Sequence, residues 1–387
     1  MNKFSNKIKS YFLDFVVFVL ILGCSVITEA QESNTRLSVW NKIEPYFSPT
    51  EKFKNNFGDY RSPLKFYDER IVKNAEDWKE RREEILKQWN VMMGEWPPLI
   101  KDQKVEFLET THRENFTQHK IKFYWTPNEQ TTGYLLIPDG KEKKPAVITV
   151  YYEPESAIGL GVENRDFAYQ LAKRGFVCLS IGTTEATKAK TYSLYYPDIK
   201  SAKVEPLSML GYAAANGWYL LANIPQVDST RIGIVGHSFG GKWAMFASCL
   251  FDKFACAVWS DPGIVFDNTR ENINYWEPWY LGYSPKPWRE RGLITEQNPA
   301  TGLYPKLITD GYDLHELHAL MAPRPFLVSG GAEDTQSRWI PLNHSIAVNN
   351  LLGFENRVAM TNREKHSPNS ESNEQIYLFF EFFLKYH

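Results

Sequence analysis

The sequence predicts an α/β chain built on a mostly parallel, doubly wound sheet with helices on both faces. Three observations carry that expectation. From Ala146 onward, short apolar runs alternate with stretches of helical period, the pattern of successive strand–helix units. Ala146 to Tyr152 (AVITVYY) and Phe176 to Ile181 (FVCLSI) are nearly continuous in apolar residues, as strands covered on both faces must be. Finally, the strand-like segment ending at Val235 passes through a glycine turn directly into an amphipathic helix, Lys242 to Leu250.

At the N-terminus, Lys3, Lys7 and Lys9 precede the apolar run Phe15 to Gly23, the layout of a Sec-type export signal. The run is short for a stable membrane span, and Asp14 trims it further. Two endings fit. Thr28-Glu29-Ala30 before Gln31 matches an ordinary signal-peptidase site. Ile21-Leu22-Gly23-Cys24 matches a lipobox, in which Cys24 would carry a lipid anchor; Asp14 so close to it favours cleavage after Ala30. The chain then divides into a signal peptide at 1–30, a helical arm at 31–104 and a catalytic domain at 105–387. Such a product is periplasmic or secreted, or a lipoprotein. With 387 residues and a formal net charge of −2, it lacks the basic excess that nucleic acid binding requires.

Within the arm, Trp78, Ile85, Leu86 and Trp89 recur at helical spacing between charges, and Trp96-Pro97-Pro98 ends the helix. The arm is too short for a core of its own, so its apolar stripe is expected to pack on the main domain. Strands are expected at Lys104 to Thr110, Lys120 to Trp125 and Thr132 to Pro138, followed by the Ala146 and Phe176 runs. Between those two lies a helix from Asn164, its N-cap, to Lys173. A long helix, Leu207 to Ala222, precedes the strand of the glycine turn. Strands at Ala255 to Ser260, Pro325 to Ser329 and Arg357 to Thr361 follow, with helices at Asp313 to Met321 and Glu374 to Tyr386. Residues of about 262–305 interrupt the alternation with an aromatic-rich insert that would overhang the site. Trp276 and Trp279 in it are candidates to stack on the apolar faces of a sugar. Cys178 reads as a small buried residue, whereas Cys249 and Cys256 could pair in an oxidising compartment, with unbridged burial favoured.

Gly236-His237-Ser238-Phe239-Gly240 matches the G-x-S-x-G nucleophile elbow. Side chains two residues either side of a serine on so sharp a turn would collide, which is why glycine stands at both places. The following helix would aim its N-terminal amides and positive dipole end at a developing oxyanion. A serine nucleophile needs an imidazole base, and the base a carboxylate to hold its tautomer. His366 lies between the last strand and the last helix, where the base is expected. Asp334, after the strand Pro325 to Ser329, is the favoured acid, with Asp261, after Ala255 to Ser260, as the alternative. The oxyanion hole is expected from the amide of Phe239 and one from the loop after Ala146 to Tyr152, at Tyr152 or Glu153. Asp313, His315 and His318 offer two histidines three apart without a firm third ligand, so core packing is favoured and no metal or cofactor is implied.

With these residues assembled, the chain from about Val105 resembles serine esterases of the α/β-hydrolase superfamily. Within it the chain is similar to bacterial carbohydrate esterases, of glucuronoyl esterase and acetyl xylan esterase type, and to dienelactone-hydrolase-like proteins. The resemblance implies an α/β-hydrolase fold and cleavage of acyl or uronate esters on a polysaccharide or oligosaccharide. It makes Lys242, four residues after Ser238, a contact for sugar hydroxyls. It also places the acid of some glucuronoyl esterases at Asp261. Phe239 departs from the pattern, standing where those enzymes usually carry arginine. Two other readings compete: a prolyl-oligopeptidase-like serine peptidase, and a catalytically silent glycan-binding protein on a hydrolase scaffold.

Overall fold

A computed structural model describes residues 33–183 and 192–386. The expected export leader, both cleavage readings and Cys24 lie outside the described residues. Among those described, no helix is long and apolar enough to cross a membrane.

Nine strands form one sheet. They are β1 (Glu106–Arg113), β2 (Phe116–Thr126), β3 (Glu129–Pro138), β4 (Lys144–Tyr151), β5 (Val177–Gly182), β6 (Val227–His237), β7 (Cys256–Ser260), β8 (Phe326–Gly330) and β9 (Val358–Asn362), in the spatial order β1-β2-β3-β5-β4-β6-β7-β8-β9. The first three strands and β5 pair antiparallel, and every pair from β5 to β9 is parallel. The apolar runs occupy the centre: β4, β5 and β7 are buried along almost their whole length. Because the order reverses around β4, the loops after β4 and β6 diverge at a topological switch point, where α/β sheets place their sites.

The arm is part of this core. Its helix α1 (Ala75–Met93) is capped by Asn74, whose side chain accepts from the Asp77 amide. Trp78, Ile85, Trp89 and Met93 are buried in the same apolar cluster as Trp243, on the helix after β6, and Trp259 of β7. A buried carboxylate fastens the contact. Glu316 accepts from the Tyr67 hydroxyl at 3.0 Å and lies 3.6 Å from the fully buried Arg81 guanidinium. Further upstream, Phe47 stacks near Phe379 of the last helix.

Two expected helix starts move. Helix α2 (Phe167–Lys173) begins after Asp166, so Asn164 is not its cap. Asn164 instead adopts φ +59° and offers its carbonyl to the Asn373 amide. The terminal helix begins at Ser370, four residues before Glu374, because Asn369 and Ser372 form a reciprocal capping box. Cys178, Cys249 and Cys256 are buried free thiols.

Trp89→Ala should remove about 3–5 kcal/mol of stability. Urea unfolding should show it as one shifted transition rather than a separate early loss of the arm.

Candidate active site

Helix α3 (Pro206–Ala222) leads into β6, which ends at His237, and helix α4 (Phe239–Leu250) starts two residues later. Between them Ser238 holds φ +56° and ψ −113°, a conformation that costs a non-glycine residue energy. The two glycines explain how the turn closes. A Cβ on Gly236 would collide with the backbone of Gly240, and one on Gly240 with the Val150 carbonyl of β4. The Ser238 amide donates to the Ser260 carbonyl at 2.8 Å, which ties the turn to the end of β7.

His366 comes from the loop between β9 and α5, the terminal helix (Ser370–Phe380). Its Nε2 lies 2.8 Å from Ser238 Oγ and its Nδ1 2.7 Å from Asp261 Oδ2. The three side chains therefore form one hydrogen-bonded line.

The carboxylate in that line is Asp261, not the favoured Asp334. The two acids follow neighbouring strands, and each is held by the other's loop. Asp261 is fully buried with φ +51°, and its Oδ1 accepts the amides of Gly331 at 2.6 Å and Asp334 at 2.8 Å, both from the loop after β8. A Cβ on Gly331 would sit 2.6 Å from Asp261 Oδ2, so that loop can approach only as glycine. Asp334 is also buried, but its carboxylate turns toward the loop after β7. There it accepts the amides of Gly263 at 2.8 Å and Ile264 at 2.7 Å. Burial, and then the charge of Asp261, push its carboxyl above the usual range.

Lys242 lies one helical turn beyond Ser238, but its side chain is 2 % exposed. Its ammonium donates to the Pro262 carbonyl at 2.6 Å and the Asn272 carbonyl at 3.0 Å. It thus fastens the turn carrying Asp261 to the insert and does not lie on an open surface. Trp276 is likewise buried, and its indole donates to the Gly292 carbonyl at 2.9 Å. Packing inside the insert replaces the expected stacking platform. Trp279 is only partly buried, its ring 5.6 Å from that of the exposed Tyr192. His315 bonds to the Arg61 carbonyl, and His318 is buried between Trp259 and Phe326.

Comparison with known proteins agrees with this fold. The family model described as the prolyl oligopeptidase family matches residues 214–387. Among solved structures, a glucuronoyl esterase from Solibacter usitatus superposes with a TM-score of 0.66 at 15% identity, covering 86% of this chain and 99% of that one. A glucuronoyl esterase from Teredinibacter turnerae T7901 does so with a TM-score of 0.60 at 17% identity, covering 91% and 99%. A candidate acetyl xylan esterase from Bacteroides fragilis NCTC 9343 gives 0.54 at 15%, covering 85% and 81%. No curated protein matches in sequence. The chain has the α/β-hydrolase fold.

Helix α4 opens at Phe239, the residue expected to offer its amide to an oxyanion. Its ring is buried and stacks on Tyr152 at a centroid distance of 4.5 Å. Tyr152 begins the loop after β4, so the two expected donor positions of the hydrolase site are adjacent through their rings. Two further residues border the site without having been singled out by sequence. Arg363 sits in the His366 loop, and the buried His237 ring lies 4.7 Å from that of His366. Both stand inside motifs whose named positions drew the attention.

Burial pushes the Lys242 ammonium down to about 8 from 10.5, with Asp334 foremost among the carboxylates opposing the shift. Between those values the unfolded chain binds the proton and the folded chain does not, so this group makes stability rise with pH across that window. Urea midpoints at pH 7.5 and 9.5 should show a smaller rise in Lys242→Met than in the parent chain.

Proposed function

We propose that this protein is an exported serine esterase that cleaves carboxylic esters, acyl or uronate, borne by a polysaccharide or oligosaccharide. The observation that carries the reading is the single line from Ser238 Oγ through the His366 imidazole to the Asp261 carboxylate. Likeness in fold to glucuronoyl esterases and to the candidate acetyl xylan esterase supports a carbohydrate ester as substrate.

In this mechanism His366 Nε2 takes the Ser238 proton as Oγ attacks the ester carbonyl. Asp261 accepts from Nδ1–H, which selects the tautomer with a free Nε2 and then stabilises the imidazolium; it stays ionised throughout. The tetrahedral oxyanion is met by the Phe239 amide at the start of α4 and by an amide at Tyr152. His366 returns the proton to the leaving alcohol, water activated by the same imidazole hydrolyses the acyl-enzyme, and Ser238 is restored. Lys242 and Asp334 act behind this line by fixing the turn that bears Asp261. Trp279, at the exposed edge of the insert, is the ring available to a sugar.

A second reading has a specific observation in its favour, the match of residues 214–387 to the prolyl oligopeptidase family. Against it, the residues preceding the sheet are packed into the common core, whereas a gating domain needs a body of its own. A silent glycan-binding role is opposed by the assembled Ser238–His366–Asp261 line.

Ser238→Ala should abolish turnover of an aryl acetate while leaving the unfolding free energy from urea titration within about 1 kcal/mol of the parent. Asp261→Asn should lower kcat by about 10⁴-fold, as loss of the orienting carboxylate does in serine hydrolases, whereas Asp334→Asn should lower it far less. The reverse ranking would return the acid to Asp334. Methyl glucuronate esters, acetylated and feruloylated oligosaccharides and peptide anilides, assayed side by side, discriminate the substrates. Turnover confined to the anilides would replace the esterase by the peptidase. For the export part of the reading, N-terminal sequencing of the mature chain should begin at Gln31; a blocked, lipid-bearing Cys24 would show the other ending.

A further inference from the structure

We propose that Arg363 is a positioning residue for His366, a role that rests on reading Ser238, His366 and Asp261 as the catalytic set. A histidine on a surface loop needs something to hold it, because a misplacement of about 1 Å at a reacting group costs on the order of 100-fold in rate. The loop has no regular pairing of its own. Arg165 Nη2 reaches Ser367 Oγ at 3.4 Å, but the Arg363 guanidinium is the group that binds the loop on one side and the strand ends on the other.

On the loop side, Nη2 donates to the His366 carbonyl at 2.6 Å and Nε to the Ser367 carbonyl at 3.1 Å. On the sheet side, Nη1 donates to Ser329 O at 2.8 Å, Ser329 Oγ at 3.1 Å and Gly330 O at 3.2 Å, at the end of β8. Nη2 also reaches Ser260 Oγ, at the end of β7, at 3.4 Å. That hydroxyl lies 3.1 Å from His237 Nδ1, whose ring backs the His366 ring. The Arg363 amide joins the same set by donating to the Gly330 carbonyl at 3.0 Å.

These acceptors are carbonyls and hydroxyls. The guanidinium is therefore a rigid connector with donors in fixed directions, which a lysine's single ammonium cannot reproduce on both sides at once. It links the end of β7 next to Asp261, the end of β8 that leads into the loop cradling Asp261, and the loop that carries His366. In this way the distances from His366 to Ser238 and to Asp261 are set together.

The test uses the full mature chain, its Arg363→Ala and Arg363→Lys variants, and two readouts. The first is the rate at which an active-serine phosphonate labels Ser238. The second is the low-field proton resonance of the His366 Nδ1–H bonded to Asp261, identified by its absence in His366→Gln. Arg363→Ala should label about 100-fold more slowly and lose or shift the resonance. Arg363→Lys should fall between it and the parent, and guanidinium ion at millimolar concentration should restore the rate of the alanine variant. An unchanged rate and resonance in Arg363→Ala would overturn the proposal. So would a loss that tracks a collapsed urea midpoint and is not rescued by guanidinium, because that is a purely structural role. If the parent chain is not labelled at all, the esterase reading fails by itself. The resonance in parent and variant then decides the Arg363 question alone, its persistence in Arg363→Ala counting against the proposal.

Discussion

A carboxylate removed from water must be given donors, and the exchange of amides between the loops after β7 and β8 supplies them twice. The Asp261 carboxylate is held by the amides of Gly331 and Asp334; the Asp334 carboxylate is held by those of Gly263 and Ile264. Neither acid could be buried if the opposite loop were elsewhere, so each loop fixes the other. The other groups of the site depend on that reciprocal hold. Lys242 fastens the β7 turn from behind through the Pro262 carbonyl, and Arg270 grips the β8 loop through Glu333 at 3.0 Å. The insert is thereby linked to the acid-bearing loops on both sides.

This also explains which parts of the site were legible in the sequence. The turn around Ser238 is a local steric problem, solved within five residues by glycine at 236 and 240, so its solution is written in adjacent letters. His366 was found by order alone, since only one loop separates the last strand from the last helix. The acid was not legible in the same way. Asp261 and Asp334 both follow strand ends, and the choice between them depends on which loop donates amides to which carboxylate. That is a contact over some seventy residues, with no local signature. A partial clue stood in the Pro262-Gly263 pair, which permits the sharp turn Asp261 makes at φ +51°.

The strands were legible for the opposite reason, since a strand buried on both faces is apolar over several consecutive positions whatever its neighbours. The tryptophans of the insert were less so. Composition shows a cluster of large rings but not whether they face water or one another. Trp276 is enclosed because its indole N–H finds the Gly292 carbonyl, and Glu277 beside it finds the Arg289 guanidinium at 2.9 Å. A loop without regular strands or helices has to build an interior from such pairs, and its aromatic residues supply it. The same logic applies to the arm, whose Trp89 is buried against the core while its indole approaches the Glu316 carboxylate at 3.4 Å.

Phe239 shows how far likeness of fold reaches. The resemblance to glucuronoyl esterases sets an arginine beside the nucleophile, and a guanidinium there would offer a positive charge to the developing oxyanion. This chain offers a phenyl ring, buried and stacked on Tyr152, with Trp243 and Tyr280 packed around it. A ring so enclosed brings no charge to the turn. Charge stabilisation in the proposed reaction then falls to backbone amides at the start of α4, whose directions are fixed by the strained turn itself. In the proposed reaction the strain at Ser238, the glycines that permit it and the uncharged ring beside it work together: an oxyanion is met by oriented dipoles instead of by a mobile cation.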